Sequence, residues 1–221
     1  MSSTPAPATA PDRPPRRRGE ETAERILDAA EDLFAERGYA GTTLRDVATR
    51  VGIRIPSLYN HFDSKESLYE AVLARGMGPV LEALSAFVEA GPEAYRDPGQ
   101  VVGRVMDLLS LRPRLPRLVL HETLGGGPHL TPMLRGWIEP TFARASRMVE
   151  ASPALARWGH DHVPNLVLAM YHVVLGYFTI APLYDALSGE DLLTPEALER
   201  QKRFVGQVVA ALFEVPEDTP G

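Results

Sequence analysis

The sequence predicts an all-α protein in which a small N-terminal helical unit precedes a larger helical domain. Apolar residues recur three and four positions apart through most of the 221-residue chain, which is the spacing of a helix face. Glycine, proline and capping residues separate these segments, and no segment alternates like a half-buried strand. We divide the chain into a disordered basic tail, a helix-turn-helix unit, a larger helical domain and a flexible tail, over residues 1–19, 20–66, 67–215 and 216–221.

The first helix is predicted over residues 20–37 and ends at Gly38. Its apolar face consists of four residues at helical spacing, Ile26, Ala30, Leu33 and Phe34. Thr43 and Asp46 have the spacing of a capping box, in which each side chain bonds the other residue's backbone amide. They predict a short second helix, which ends at Gly52.

A third helix begins near Pro56, because proline is favoured in a first helical turn. Leu58 and Phe62 lie four positions apart on one face of it, and both are expected in the core. Residues 63–66 offer an acid-to-acid capping arrangement for a fourth helix. That helix is expected to loosen at three residues, Gly76, Gly78 and Pro79. Two short helices around a glycine turn are typical of a helix-turn-helix.

Five further helices are predicted in the larger domain from periodicity, prolines and capping residues. They cover residues 97–111, 113–124, 130–151, 163–187 and 194–215. Glycines 125–127 follow no strand and lack the Lys-Ser/Thr continuation of a phosphate-binding loop. We therefore expect a hinge or loop at these glycines.

Composition and charge exclude several classes of protein. Hydrophobic residues make up 44% and charged residues 24%, as in a globular chain. The absence of cysteine excludes disulfides, thiolate zinc sites and cysteine nucleophiles, and it favours the cytoplasm. The net charge of −6 argues against a protein that coats nucleic acid, although residues 42–65 hold four Lys/Arg against two Asp/Glu. A basic patch on an acidic body suits site-specific contact with DNA.

One apolar segment, residues 166–183, has no charge and is close to the minimum length of a membrane span. His172, Thr179 and Pro182 interrupt it, and its flanks lack a Lys/Arg cluster. We predict a soluble protein with no membrane partner, in which this helix is buried at the centre. The basic tail also lacks the apolar core of a signal peptide.

Four short sequences in fixed order carry a resemblance to a known family. They are GTTLRDVA at 41–48, VGI at 51–53, PSLYNHF at 56–62 and SKESL at 64–68. Together they resemble the DNA-binding domain of the tetracycline-repressor (TetR) family over roughly residues 20–75. The resemblance implies a regulator whose third helix enters the major groove while neighbouring polar groups contact phosphates.

The matched positions imply two groups of DNA contacts. The residues expected to donate to phosphates are Thr43, Ser57, Tyr59, His61 and Lys65. Those expected nearest base edges are Arg45, Arg54, Ile55 and Pro56, whereas Asn60 suits either role. For Thr43 the alternative is a purely structural helix cap. Arg54 departs from the small capping residue of many family members; it is either a base-reading guanidinium or a solvent-exposed arginine at a turn.

The resemblance also implies that the C-terminal helices bind a small molecule and form a homodimer. A mixture of apolar, aromatic and sparse polar side chains suits such a pocket: Met106, His121, Glu122, Trp137, Met170, Tyr171, His172, Tyr177 and Phe178. Core packing is the alternative for each of them. For the dimer, the expected stripe on the last helix is Leu198, Val205, Val208 and Leu212, packed with the helix over 163–187.

We expect a repressor that a small apolar or amphipathic ligand releases from a roughly palindromic operator, with no cofactor and no catalytic site. An alternative is metal sensing through His121-Glu122 and His160-Asp-His162. An enzyme would recruit the same residues, but their spacing fits no catalytic motif. An architectural DNA binder without a ligand would normally be more basic than this chain.

Overall fold

The computed structural model of the protein describes residues 15–91, 97, 99–136, 143–144 and 163–213. All regular structure within these ranges is helical, which confirms the predicted all-α fold. The helices are α1 (Pro15–Arg37), α2 (Leu44–Val51), α3 (Ile55–Tyr59), α4 (Lys65–Glu89), α5 (Gly99–Ser110), α6 (Leu115–Leu124), α7 (Val163–Ser188) and α8 (Pro195–Phe213). A further helical segment covers residues 130–136.

A single apolar core holds α1, α2, α3 and the first turns of α4 together. The predicted face of α1, namely Ile26, Ala30, Leu33 and Phe34, is buried in it. The other helices contribute Val47, Leu58 and Leu68, all fully buried. Burying each large apolar side chain contributes about 1.5–3 kcal/mol relative to leaving it exposed. This core fixes the mutual orientation of the three N-terminal helices.

The connection between α1 and α2 is fixed by the buried side chain of Thr42. Its hydroxyl lies 3.1 Å from the carbonyl oxygen of Leu33 and 3.0 Å from that of Gly38, so its one proton serves either carbonyl. Leu33 lies in the last turns of α1, and Gly38 directly follows the helix. The side chain thus closes the end of α1 and holds the following loop against it.

The start of α1 differs from the prediction, because the helix begins at Pro15 and not at residue 20. The predicted disordered tail over 1–19 is therefore wrong for residues 15–19, and residues 1–14 lie outside the described ranges. Proline has a preset φ that suits the first helical position, and the arginines that follow are good helix formers.

The cap of α4 also differs from the prediction. Ser64 and Ser67 form a capping box in place of Asp63 and Glu66. The backbone amide of Ser64 donates to Ser67 Oγ at 3.1 Å, and the amide of Ser67 donates to Ser64 Oγ at 3.0 Å. The carboxylate of Glu66 is thereby left available for other contacts.

Helix α4 continues to Glu89 without ending at its glycines and proline, contrary to the prediction. A proline inside a helix removes one hydrogen bond and costs about 3 kcal/mol in isolation. Here Leu73 and Val80 are buried on either side of Pro79, and α4 packs against α1, α5 and α6. Tertiary packing outweighs the local preference, so α4 forms one continuous element from the N-terminal unit into the larger domain.

An ion-pair network joins the N-terminal unit to the larger domain. The guanidinium of Arg75 on α4 donates to Asp28 and Glu31 of α1 at 2.8 Å and to Glu24 at 3.0 Å. Arg112, which follows α5, donates to the same Glu31 carboxylate at 2.8 Å. Glu31 is buried, so its charge depends on these two guanidinium groups.

The larger domain contains a close contact between α5 and α8. A Cβ atom added at Gly99 would lie 3.1 Å from the Cα atom of Gly206, so any larger residue at this position would push the two helices apart by a few tenths of an ångström. Val205 and Val209 are buried within the same protomer. The predicted dimer stripe is therefore wrong at Val205, because this residue is buried within the protomer, where α8 packs closely on α5.

Helix α7 is not buried centrally as predicted. It buries Val174, Phe178 and Ala181, whereas Leu183 is 55% and Leu187 79% exposed. By length and composition alone, Lys65–Glu89 and Val167–Ser188 could both cross a membrane. The first is the central helix α4, and the second has one packed face and one exposed apolar face.

The remaining boundaries follow the predictions closely within the described ranges. Helices α5 and α6 begin and end within two residues of the predicted limits. The predicted helix over 130–151 is described over 130–136 and at 143–144. Gly126 and Gly127 have φ values of +83° and +67°, which favour glycine, and the glycine run is a turn as expected.

Candidate nucleic-acid interface

The turn between α2 and α3 is held in place from both sides. Gly52 adopts φ +77°, and its amide lies 3.0 Å from the carbonyl oxygen of Ala48. Arg25 on α1 donates to the carbonyl oxygen of Val51 at 2.7 Å. The C-terminal end of α2 is therefore bonded to α1, and the turn at Gly52 sets the direction in which α3 leaves it.

Helix α3 divides its residues between the core and the surface. Leu58 is fully buried, and Ile55 packs partly against the core. Tyr59 is 49% exposed and His61 is partly exposed. The other predicted contact residues on this surface are exposed, namely Arg45, Arg54, Pro56, Ser57 and Asn60. The predicted DNA contacts, apart from Ile55 and from Lys65 at the start of α4, thus lie on the solvent side of α2 and α3.

Thr43 acts as the cap of α2. Its hydroxyl donates to Asp46 Oδ2 at 2.6 Å and accepts from the Asp46 amide at 3.2 Å, and its own amide donates to Asp46 Oδ2 at 3.0 Å. The side-chain and backbone hydrogen bonds from Thr43 lower the pKa of Asp46. The structural role considered for Thr43 is therefore present in the protein.

Lys65 has a structural role that the sequence did not predict. Its ammonium group donates to the carbonyl oxygens of Tyr39 at 2.9 Å and Thr42 at 3.0 Å. The same nitrogen lies 4.1 Å from the centroid of the Tyr39 ring. Lys65 therefore ties the start of α4 to the connection between α1 and α2, with one N–H left for a phosphate.

The three arginines of this surface differ in whether they form an ion pair with an acidic side chain. Arg50 lies 3.8 Å from Asp32 and 3.9 Å from Glu36 of α1, so its charge is partly matched. Arg45 and Arg54 have no ion pair within the described residues, and Arg54 makes no capping bond despite its N-cap position. Both guanidinium groups are exposed, and Arg45 lies near the carboxylate of Asp46.

Comparison with known proteins decides which family this arrangement represents. Residues 26–72 match the family described as "Bacterial regulatory proteins, tetR family". The HTH-type transcriptional repressor Rv3405c of Mycobacterium tuberculosis is 31% identical over 198 residues, which cover 88% of this chain and 90% of that protein. The chain belongs to the TetR family.

Other similarities concern a short segment of the chain or the fold. The negative transcriptional regulator IcaR of Staphylococcus aureus is 57% identical over 47 residues, or 21% of this chain and 25% of IcaR. The fatty acid degradation regulator FadR of Bacillus halodurans superposes with a TM-score of 0.59 at 16% identity, covering 90% of this chain and 97% of that one. A transcriptional regulator from Rhodococcus sp. Rha1 superposes with a TM-score of 0.57 at 21% identity, covering 88% of this chain and 99% of that one.

As a TetR-family member, the chain is a DNA-binding transcriptional regulator, and its relatives are named as regulators and not as enzymes. Three features of the geometry around α2 and α3 were missed from the sequence: the buried Thr42, the Arg25 bond to α2 and the Lys65 anchor. Each joins residues at least nine positions apart, beyond the reach of helical periodicity.

The residues predicted to bind a small molecule lie in several environments. Met106 and Phe178 are buried in the core, and Trp137 lies outside the described residues. His172 is exposed, with Nδ1 2.7 Å from the carbonyl oxygen of its own helix at Leu168. Met170 packs partly against the core.

Glu122 and Tyr171 of that set already have hydrogen-bond partners. Buried Glu122 accepts from the amides of His129 at 3.1 Å and Leu130 at 3.0 Å. Burial and the nearby Glu122 carboxylate raise the pKa of Tyr69. The hydroxyl of Tyr171 lies 2.9 Å from Thr123 Oγ1 on α6. Glu122 is therefore a structural acceptor beside the glycine turn.

Two further members of the set contact opposite regions of the chain. His121 lies beside Gly38, because a Cβ atom added at Gly38 would be 3.7 Å from its Nδ1. The hydroxyl of Tyr177 donates to the carbonyl oxygen of Leu192 at 2.5 Å, between α7 and α8. Burial raises the pKa of Tyr177. The aromatic residues of α7 thus face both α6 and the connection to α8.

Proposed function

We propose that this protein is a cytoplasmic, homodimeric repressor that binds a roughly palindromic operator and is released by a small apolar or amphipathic ligand. The observation that carries the DNA-binding part is the exposed surface of α2 and α3. There Arg45 and Arg54 lack ion pairs within the described residues, while Tyr59 and His61 lie on the same short segment. The repressor assignment is supported by the name of the Mycobacterium tuberculosis relative.

Exposed apolar side chains on α7 and α8 support the homodimer. Phe204 and Val208 on α8 are 59% and 36% exposed, and Leu183 and Leu187 on α7 are exposed as well. Contiguous exposed apolar residues mark interaction surfaces in soluble proteins. A two-fold axis at this surface would join two DNA-binding units for half-sites about 34–36 Å apart.

Helix α4 supports a coupling between ligand and DNA. It begins at Lys65, beside the DNA-binding unit, and packs on α5 and α6 further along. Ligand binding between α6 and α7, near Met170 and Tyr171, would tilt α4 and change the spacing of the two units. The alternative of metal sensing through His121-Glu122 loses support, because Glu122 already accepts two backbone amides; His160 and His162 lie outside the described residues.

Selection of operator sequences from a random DNA library tests the DNA-binding part. We expect a two-fold symmetric consensus and binding that weakens steeply with salt. Arg54→Ala should relax the preference at one position of each half-site, at a cost of about 1–3 kcal/mol. Recovery of no consensus by the folded wild-type dimer would refute the proposal.

Native mass spectrometry of the protein purified from its own cell tests the ligand part. We expect a co-purified small molecule, which is then titrated into the protein with and without operator DNA. Coupling of about 1–3 kcal/mol corresponds to roughly 5- to 150-fold weaker DNA binding, and linkage requires the same factor for the ligand. Equal ligand affinities with and without operator would contradict the coupling.

A further inference from the structure

Three potential metal ligands meet where the N-terminal unit joins the larger domain. Glu66 and Glu70 lie on successive turns of α4, and His129 lies just before the helical segment 130–136. One ligand atom from each residue lies within 4.8 Å of the other two. Three atoms each about 2.1 Å from one ion are at most about 4.2 Å apart. Small side-chain rotations of the exposed glutamates therefore suffice to bring all three onto one ion.

None of the three side chains is committed to another partner. Within the described ranges, Glu66 and Glu70 have no hydrogen bond or ion pair, and the ring nitrogens of His129 have no hydrogen bond. Like charges four positions apart on a helix destabilise it by about 0.2–0.5 kcal/mol. A bound cation would remove this repulsion. The ammonium group of Lys65, which precedes Glu66 in the sequence, donates to two carbonyl oxygens elsewhere.

The imidazole of His129 is held in place by its surroundings. Its ring packs on Tyr39 and Tyr69, with centroids 4.5 Å and 5.0 Å away. Its backbone amide donates to the buried carboxylate of Glu122. A ligand that is already oriented loses little conformational freedom when the ion binds.

We propose that Glu66, Glu70 and His129 form a binding site for a divalent transition metal ion of the Zn²⁺ class. The imidazole nitrogen favours Zn²⁺, Ni²⁺ or Cu²⁺ over Mg²⁺ and Ca²⁺, which prefer oxygen ligands. Three protein ligands leave a fourth position for water. The ion joins the first turns of α4 to the turn after α6, and so links the DNA-binding unit to the larger domain independently of the small-molecule proposal.

Calorimetric titration of the full, chelator-treated protein with ZnCl₂ tests the site, with MgCl₂ titrated in parallel. We expect Zn²⁺ to bind and to raise the melting temperature, because a ligand of the folded state stabilises it. Glu66→Gln, Glu70→Gln and His129→Ala should each raise the Zn²⁺ dissociation constant at this site about ten-fold or more. MgCl₂ should bind much more weakly.

Two control variants distinguish Zn²⁺ binding at this site from Zn²⁺ binding elsewhere on the chain. Glu82→Gln removes an exposed carboxylate further along α4 and should leave Zn²⁺ binding unchanged. The double variant His160→Ala/His162→Ala should still bind Zn²⁺ through Glu66, Glu70 and His129. Because Glu66 and Glu70 are exposed, their glutamine variants remain folded even if His129→Ala does not. Wild-type affinity in both glutamine variants, or loss of all Zn²⁺ binding in the double histidine variant, would overturn the proposal.

Discussion

At the residue scale, similar polar side chains in the N-terminal unit differ in what they contact. Lys65 donates to two backbone carbonyl oxygens, whereas His61 makes no side-chain hydrogen bond within the described residues. Both are predicted from the family resemblance to donate to phosphates. Their substitutions should therefore affect different properties of the protein.

We predict that Lys65→Met lowers the free energy of unfolding by about 1–3 kcal/mol, since it removes two charge-assisted hydrogen bonds and leaves two carbonyls without their donor. His61→Ala should leave the unfolding midpoint unchanged and weaken binding to all DNA sequences by a similar factor. Urea unfolding and fluorescence anisotropy measure the two effects. An unaltered midpoint in Lys65→Met would show that its bonds to Tyr39 and Thr42 contribute nothing.

The capping box of α2 provides a second prediction at this scale. Thr43→Ala removes the side-chain hydrogen bond that lowers the pKa of Asp46, so the pKa should rise toward its ordinary value. Because the pKa is lowered in the folded state, this stabilisation is present above the unfolded-state pKa of about 3.9 and is lost as pH falls through the folded pKa. NMR titration of the Asp46 carboxyl group measures the change. Identical titration curves in wild type and variant would contradict this account.

At the element scale, α4 contains two glycines with different surroundings. A Cβ atom at Gly76 would lie 2.5 Å from Leu115 Cδ1, whereas one at Gly78 would meet nothing within 4 Å. Gly76 therefore allows α6 to approach α4 closely. Gly78 has no such packing role within the described residues.

We predict that Gly76→Ala destabilises the protein by about 1–3 kcal/mol, because Leu115 must move in a packed core. Gly78→Ala should stabilise it by about 0.5–1 kcal/mol, because alanine has the higher helix propensity. Chemical denaturation of the two variants beside wild type measures both changes. A stabilising effect of Gly76→Ala would show that Leu115 adapts without cost.

At the scale of the whole molecule, two apolar surfaces have different predicted roles. Phe204 on α8 belongs to the proposed dimer surface, whereas Leu111, 79% exposed, follows α5 outside the last two helices. We predict that Phe204→Glu yields a monomer by light scattering with a preserved helical spectrum, because a buried unpaired carboxylate opposes association. Leu111→Glu should remain dimeric. A dimer in Phe204→Glu would place the interface elsewhere.

The sequence by itself determined the all-α class, the helix-turn-helix and most helix boundaries. Helical spacing, capping boxes and glycine stops act between residues within about four positions, so they can be recognised in one segment. The capping box of Thr43 and Asp46 and the buried face of α1 are examples. The family resemblance was recognisable for the same reason, since its motifs lie in consecutive short segments.

Tertiary structure alone decided where distant residues meet. Because of tertiary packing, α4 continues through Pro79 and Val205 is buried within the protomer. Packing also places the ammonium group of Lys65 beside backbone carbonyl oxygens. It also brought His129 beside two glutamates of α4. These outcomes depend on the close approach of helices far apart in the chain, and helical periodicity does not specify which residues of one helix face those of another.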